Sequence, residues 1–188
     1  MNWQALRRIV TQNKPGQEGD RARSSVFIDG EPAKVLAVEE AGLAEIWTAL
    51  LEPDALRAGA LAPDGDLLAN QDVALEPAAR ALKVRWFTVP PEDASATPEE
   101  REVAAAFGFA AAQASDARVD TSRHPMMHET QTLDVIVLIK GAVDLLLDEG
   151  EARALKPGDV VIQRATNHAW VNTGDETALL VAILVNVE

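Results

Sequence analysis

The sequence contains no cysteine, and this absence removes two classes of site. In a chain of 188 residues without Cys, neither a disulfide nor a thiolate metal site can form. The composition suits a reducing compartment, and we expect a cytoplasmic protein. The first residues, MNWQ, are not a basic stretch followed by an apolar one, so we expect no signal peptide. No apolar run approaches the roughly 20 residues that a membrane helix needs, so we expect no membrane partner.

Basic residues are scarce relative to acidic ones. The chain has 17 Lys and Arg against 30 Asp and Glu, which gives a formal net charge of −13 at pH 7. Nucleic acid repels such a chain, so we do not expect it as a partner. The sequence also lacks a nucleotide-binding glycine loop and a nucleophile with a recognisable base. Its hydrophobic fraction of 47% is enough for a sizeable core, and its length suits one domain with an appended arm.

The chain is rich in short apolar runs separated by turn residues, most regularly between residues 124 and 172. The predicted strands in and beside this stretch are Asp134–Lys140, Ala142–Asp148, Glu151–Leu155, Val160–Gln163, His168–Asn172 and Thr177–Val187. The turns between them contain Gly141, Gly150, Pro157-Gly158-Asp159 and Gly174. Short strands at regular spacing, with Gly, Pro or Asp between them, predict an antiparallel sandwich or barrel.

The first half of the chain gives further strand candidates. They are Ser24–Ile28, Val35–Glu39, Leu43–Leu51 and Leu82–Val89, with loops predicted over 13–20 and 53–77. In the last of these strands, Lys83 and Arg85 share a face with Phe87 and Val89.

One helix is predicted near 98–113. Thr97 is a good N-cap, Pro98 suits the first helical position, and Glu100 completes a capping box. An apolar face is formed by residues at three- and four-residue spacing, which are Val103, Ala106, Phe107 and Ala110. We expect this face to cover the barrel.

The C-terminal stretch resembles the conserved barrel of the cupin superfamily. The residues that carry the resemblance are Met127-His128, Thr130, Thr132-Leu133-Asp134, Gly141, Pro157-Gly158-Asp159, His168-Ala169-Trp170 and Asn172. The resemblance implies a small single-domain cupin of the type-2 conserved-barrel kind. Its fold would be all-β, a double-stranded β-helix or jelly-roll barrel over 81–188, with a β arm over 1–80 packed on it. Because one scaffold hosts many chemistries, the resemblance is more specific for fold than for activity.

The resemblance also implies a metal site at His128, Asp134 and His168. Imidazole and carboxylate together suit Fe, Mn, Ni or Zn. The position two residues before His128 usually holds a second His in cupins, but here it is Met126. His124 can join the site only if the chain bends at Pro125. The alternative is a metal-free pocket in which the His and Asp side chains form hydrogen bonds.

Other residues are candidates for lining a ligand pocket. They are His124, Met126, Gln163, Trp170 and Arg85. Trp170 is alternatively plain core, and Arg85 is alternatively a solvated charge on an outer face beside Lys83. Gln163 or Arg85 would bind a carboxylate or carbonyl group of a ligand.

Two functions follow from these residues. The first is a cupin enzyme acting on a small carbonyl or carboxylate compound, either a metal-dependent oxygenase or a dehydratase or isomerase. The second is a metal-free protein that binds a small ligand without catalysis. Since Thr177–Val187 and Val135–Ile139 are apolar on both faces, each must be covered on two sides. The arm or a second subunit can supply that cover, and we predict a homodimer.

Overall fold

The structure is a computed structural model that describes residues 2–14, 23–51, 68 and 71–188. These residues form eleven strands and one α-helix. The strands are β1 Arg8–Lys14, β2 Arg23–Gly30, β3 Lys34–Val38, β4 Ala41–Leu50, β5 Ala81–Val89, β6 Leu133–Lys140, β7 Val143–Leu147, β8 Arg153–Leu155, β9 Val160–Arg164, β10 His168–Val171 and β11 Ala178–Asn186. The helix, α1, spans Pro98–Ala111.

The strands pair antiparallel into three sheets. The largest has six strands in the order β3-β4-β5-β11-β6-β9, and a second has three in the order β10-β7-β8. Strands β1 and β2 form a two-stranded sheet of their own. The all-β architecture predicted from the sequence, with antiparallel strands and one helix, is confirmed. The boundary at residue 80 stays a prediction, although β3 and β4 extend the same sheet as the later strands.

The hydrophobic core lies between the six-stranded and three-stranded sheets. Its buried members come from both, and they are Ile136, Leu138, Val143, Leu145, Trp170, Ala178, Leu180, Ala182 and Leu184. Alternate residues of β11 and β6 are buried while their neighbours are half-buried or exposed, because successive side chains of a strand point to opposite faces. Strand β11 is central, between β5 and β6, which explains its continuous apolar sequence.

Two predicted turns have the backbone geometry that glycine permits. Gly141, between β6 and β7, has φ +89°, and a Cβ there would lie 2.8 Å from Cα of Ala178. Gly158 has φ +95°, and Asp159 accepts a hydrogen bond from the backbone N–H of Lys156 at 3.0 Å. The loop predicted over 13–20 lies mostly outside the described residues, as does most of that over 53–77.

Helix α1 begins as predicted but buries a different face. Its capping box is complete, because Thr97 accepts from the N–H of Glu100 and Glu100 accepts from the N–H of Thr97. The predicted buried face is wrong, since Val103 is 70% exposed and Phe107 66% exposed. Helix residues Ala105 and Phe109 are buried instead. No helix of the described residues is long and apolar enough to span a membrane.

We predict that Thr97→Ala lowers the free energy of unfolding by about 1 kcal/mol, because the side-chain half of the capping box is lost. Urea unfolding followed by circular dichroism measures this difference. Thr121→Ala is a suitable control, as Thr121 lies outside the helix. An unchanged midpoint in Thr97→Ala would show that the cap does not contribute.

Candidate functional site

The barrel interior divides into an apolar half and a polar half. On β5, Lys83 pairs across the sheet with Leu184 of β11, and Asp134 of β6 pairs with the same residue from the other side. These side chains therefore share the inner face with the core. We call the following set the polar half: Glu45, Lys83, Arg85, His128, Thr130, Thr132, Asp134, Gln163 and His168.

Two histidines lie side by side in the polar half. His128 and His168 form an antiparallel bridge, each N–H donating to the other's carbonyl at 2.9 Å. Their ring centroids are 4.3 Å apart, at an interplanar angle of 45°. His168 is 3% exposed, while His128 is partly exposed. The backbone bridge thus fixes the two imidazoles as neighbours.

Both imidazoles are neutral near pH 7 in one defined tautomer. Burial lowers the pKa of His128, and burial together with the neighbouring His128 lowers the pKa of His168 to about 3. Nδ1 of His128 lies 3.0 Å from the Met126 carbonyl, and Nδ1 of His168 lies 2.9 Å from the Thr166 carbonyl. A carbonyl only accepts, so each Nδ1 carries the proton. Each Nε2 keeps its lone pair.

The Thr166 carbonyl joins this histidine pair to the next part of the polar half. It accepts from Nδ1 of His168 and also from Nε2 of Gln163, at 3.0 Å. The Thr166 hydroxyl is a second partner of the Gln163 amide. The preceding residue, Ala165, has φ +46°, a costly conformation for a residue with a Cβ. The loop therefore holds Thr166 in place at some cost in backbone strain.

Asp134 lies opposite Gln163 in the sheet register. Thr132 donates to Thr130 at 2.8 Å, and Thr130 lies 3.5 Å from Oδ2 of Asp134. Burial raises the pKa of Asp134 to about 6, against the lowering effect of the two threonine hydroxyls. Its other oxygen, Oδ1, is buried with no hydrogen-bond partner in the described part of the chain.

Two cations of the polar half come from β5, which lies on the other side of β11 from Asp134. Nη2 of Arg85 contacts Oε1 of Glu45 at 2.8 Å, and Nζ of Lys83 lies 3.7 Å from the same oxygen. Both cations also donate to the Ala74 carbonyl. The expectation that Arg85 is a solvated outer charge is wrong, because it is 3% exposed and faces inward. Burial lowers the pKa of Lys83 to about 8.

Helix α1 lies beside the histidine pair. The ring of Phe109 is 4.9 Å from that of His128, and the Arg118 guanidinium lies 5.8 Å from the Phe109 centroid. At the deeper end, Trp170 meets His168 edge-on at 5.3 Å. Trp170 belongs to the core and is 9% exposed, so it marks the boundary between the two halves.

Besides Trp170, which lies at its boundary, two of the predicted pocket residues lie outside the polar half. Nε2 of His124 is 2.7 Å from Glu92, and His124 lines a surface cleft of about 250 Å³ beside the start of α1. Met126 is 41% exposed, whereas its neighbour Met127 is 1% exposed. Residues 124–127 form a turn, because Met127 donates its N–H to the His124 carbonyl. The chain therefore does bend at Pro125, but the bend places His124 beside Glu92 and leaves Met126 exposed, so neither joins the polar half.

The arrangement does not complete the predicted metal site. A catalytic zinc, for example, is held by three protein ligands. Among the described residues, no three His, Cys, Asp or Glu side chains lie close enough together to hold a metal ion. His128 and His168 are brought together, and Asp134 does not join them. The residues as arranged therefore do not fit a three-ligand set.

Several residues of the polar half were not foreseen from the sequence. They are Glu45, Lys83, Thr130 and Thr132. A signal was available for Lys83, since it shares a strand face with the apolar Phe87 and Val89. A charged side chain on a core face indicates either a buried ion pair or a binding site.

Comparison with known proteins identifies the family of this region. Residues 118–184 match the family model for the cupin domain. The chain is 53% identical over 47 residues to "Phomopsin biosynthesis cluster protein C'" of Diaporthe leptostromiformis, covering 25% of each chain. It is 46% identical over 52 residues to "Cupin-domain-containing oxidoreductase srdD" of Neurospora crassa, covering 27% of this chain and 26% of the relative. The matched stretch thus spans about a quarter of the length of these curated relatives.

Solved structures also show similarity at low sequence identity. A cupin 2 conserved barrel protein from Salinispora arenicola is 15% identical, with a TM-score of 0.40 over 82% of each chain. The polyketide cyclase RemF from Streptomyces resistomycificus is 15% identical, with a TM-score of 0.42 over 81% of this chain and 72% of that one.

Proposed function

Because residues 118–184 make this chain a member of the cupin superfamily, we propose that it is an enzyme acting on a small organic compound inside its barrel. The compound carries a carbonyl or carboxylate group and binds in the polar half. The observation that carries the proposal is the pair of neutral imidazoles, His128 and His168, whose Nδ1 protons are held by backbone carbonyls. Four curated relatives named as oxidoreductases support an enzyme rather than a binding protein.

The geometry supports proton transfer. The neutral imidazole of His128, with its lone pair on Nε2, is the candidate general base, because a pKa of about 3 makes His168 too weak a base near neutral pH. It takes a proton from the carbon next to a substrate carbonyl, and the electron pair of the C–H bond moves into a C=C bond. The carbonyl oxygen then becomes an enolate oxygen that accepts from Nε of Arg85, an atom with no other partner in the described part of the chain, and the positive charge that the imidazole gains with the proton balances the negative charge of the enolate. When the deprotonated carbon carries a hydroxyl group, the hydroxyl proton moves to the enolate oxygen and the imidazole returns its proton to the former carbonyl carbon, so that the carbonyl and hydroxyl groups exchange places and the isomerisation is complete.

Exchange of substrate protons with solvent tests this proposal. Hydroxyacetone, acetophenone and pyruvate in D₂O are followed by ¹H NMR with wild type, His128→Gln and His168→Gln. We expect wild type to accelerate the exchange of at least one compound, and each variant to reduce that rate at least tenfold. His124→Gln should retain the rate, because His124 lies at the surface beside Glu92.

The alternative is a metal-free binding protein without catalysis. Compounds that bind to wild type but exchange at the buffer rate would favour it over an enzyme. Elemental analysis of protein purified without an affinity tag and reconstituted with Fe, Mn, Ni or Zn is the separate test of a metal. Stoichiometric metal lost in both His128→Gln and His168→Gln would establish a site that the present side-chain arrangement lacks.

We further propose a homodimer formed through the outer face of β6 and β9. The large apolar side chains exposed there are Leu133, Ile139, Val160 and Ile162, each 43–56% exposed. Strand β9 is also an edge of the six-stranded sheet, so one side of its backbone is not paired within the described chain. Contiguous apolar surface of this kind marks an interface.

Replacing Ile162 by Lys is predicted to dissociate the dimer, since a charge would then be buried in the interface. Analytical ultracentrifugation should give about twice the 20.2 kDa chain mass for wild type and the chain mass for Ile162→Lys. Val26→Lys is the matched control, because Val26 on β2 is equally exposed at 55%. A wild type that sediments as a single 20.2 kDa species would rule out the dimer.

A further inference from the structure

The polar half contains equal numbers of basic and acidic side chains, so its formal charges sum to zero. Lys83 and Arg85 are basic, Glu45 and Asp134 are acidic, and all four are 1–3% exposed. The two imidazoles of the same half are neutral near pH 7, since burial lowers both pKa values. A neutral ligand therefore leaves the net charge of the polar half at zero, whereas a charged ligand does not.

Glu45 and Asp134 together offset the two cations, so neither cation has an uncompensated charge for an anionic ligand. Glu45 Oε1 is shared by Arg85 at 2.8 Å and Lys83 at 3.7 Å. Lys83 donates further to the carbonyls of Ala74 and Glu76, at 2.8 and 3.0 Å, and Arg85 donates to Ala74 at 2.6 Å. The residues 74–76 thus use donors that a substrate carboxylate would otherwise need.

The part of the polar half around Asp134 repels anions. Burial raises the pKa of Asp134, and the negative charge of Glu76 raises it further. Glu76 is fixed near this point, because its Oε1 accepts the backbone N–H of Gln131 at 3.2 Å. A carboxylate beside Asp134 would meet two like charges with little water to screen them.

Three buried polar atoms show what the ligand must offer. Nε of Arg85, Oε2 of Glu45 and Oδ1 of Asp134 have no hydrogen-bond partner in the described part of the chain. One of these atoms is a donor and two are acceptors. Buried polar atoms normally have partners, and leaving them without one is costly. A carboxylate accepts but cannot donate, so it satisfies only the Arg85 atom.

We propose that the polar half takes a neutral ligand with at least one carbonyl acceptor and at least one O–H or N–H donor, and that it discriminates against carboxylates. This inference rests on the proposed function and narrows it from carbonyl or carboxylate compounds to neutral hydroxy-carbonyl or amide compounds. The carbonyl accepts from Arg85, and the donor is shared between Glu45 and Asp134.

Isosteric pairs that differ in charge test the inference. Benzamide is compared with benzoate, and hydroxyacetone with pyruvate, by ligand-observed NMR titration at pH 7. Benzamide supplies one carbonyl and two N–H groups, and its ring suits the aromatic contacts from Phe109 through His128 to Trp170. For wild type we expect the neutral member of each pair to bind at least tenfold more tightly.

Variants that remove one negative charge should weaken or abolish this preference if the charge balance of the polar half causes it. Glu45→Gln keeps the shape and an oxygen acceptor for Arg85 but leaves the interior with one excess positive charge. We expect the ratio of benzamide to benzoate affinity to fall at least tenfold in this variant. Asp134→Asn is the second variant, with the same expectation, should Glu45→Gln fail to fold by circular dichroism. Asp120→Asn, at the surface, should leave the ratio unchanged.

The outcomes separate this inference from the proposed function. Tighter binding of benzoate or pyruvate to wild type would overturn the neutral-ligand inference and leave an enzyme for carboxylates in place. A ratio that stays constant in the folded Glu45→Gln and Asp134→Asn proteins would also overturn it. Absence of binding by all four compounds, together with absence of proton exchange, would overturn both.

Discussion

Acidification from pH 7 to pH 4 is expected to lower the free energy of unfolding by about 3 kcal/mol through His168 alone. Burial, and then the adjacent His128, lower the pKa of His168 to about 3 from an ordinary 6.5. Above pH 6.5 the ring is neutral in both states and contributes nothing. Between pH 6.5 and 3 the unfolded chain binds a proton that the folded chain does not, so stability falls as the pH falls.

Replacement of His168 removes this dependence whatever else it does to stability. Urea unfolding of wild type and His168→Gln at pH 7 and pH 4, at one protein concentration, gives the difference between the two proteins at each pH. We expect that difference to change by about 3 kcal/mol in favour of the variant at pH 4. His124→Gln is the surface control and should follow wild type. A difference that stays constant with pH would mean that His168 is not buried as a neutral ring.

Asp134 should produce the opposite pH dependence. Its pKa is raised by burial to about 6 from 3.8, so the folded state holds the proton more tightly than the unfolded state does. The contribution of Asp134 to stability is therefore lost as the pH rises from about 4 through 6. The full loss is about 3 kcal/mol and is complete by pH 8, where both states are ionised.

Asp134→Asn is thus expected to gain about 2 kcal/mol relative to wild type between pH 4 and pH 8. The measurement is again a difference of unfolding free energies, which cancels any constant cost of the amide beside Thr130. Asp120→Asn is the control, because the backbone N–H of Ser122 lowers the pKa of that exposed carboxyl. A wild type and an Asp134→Asn protein with parallel pH profiles would contradict the buried, charge-poor surroundings assigned to Asp134.

The strands and turns were predictable because their signals are local. Gly141 and Gly158 have the positive φ angles that turn residues supply, and the strand candidates before and after them all form. The capping box at Thr97 is likewise a short-range signal. Predictions made from such local patterns required no knowledge of what packs against them.

The buried face of α1 was not predictable from spacing alone. The helix carries apolar residues on more than one side, so periodicity permits both Phe107 and Phe109 to face the barrel. The choice is made by tertiary contacts, because the ring of Phe109 meets His128 and Arg118. Phe107 has no comparable neighbour among the described residues and is 66% exposed.

The histidine pair of the candidate site was predictable from the sequence, but the partners of Asp134 and Arg85 were not. The motif positions correctly bring His128 and His168 together, because facing antiparallel segments align them. The resemblance could not show that Asp134 lies beside threonines instead of joining the histidines. It also could not show that Glu45, 40 residues from Arg85 in the chain, neutralises that cation. Long-range pairings of this kind depend on sheet register, which local sequence patterns do not determine.

The state of the two interior histidines tests the central claim most directly. A long-range ¹H–¹⁵N correlation spectrum at pH 7 resolves the three imidazoles of this chain, with His128→Gln and His168→Gln for assignment. Because backbone carbonyls hold Nδ1 of both rings, we expect His128 and His168 to be neutral with the proton on Nδ1, which leaves Nε2 as the acceptor for a ligand. A doubly protonated ring, or a proton on Nε2 of either residue, would contradict it.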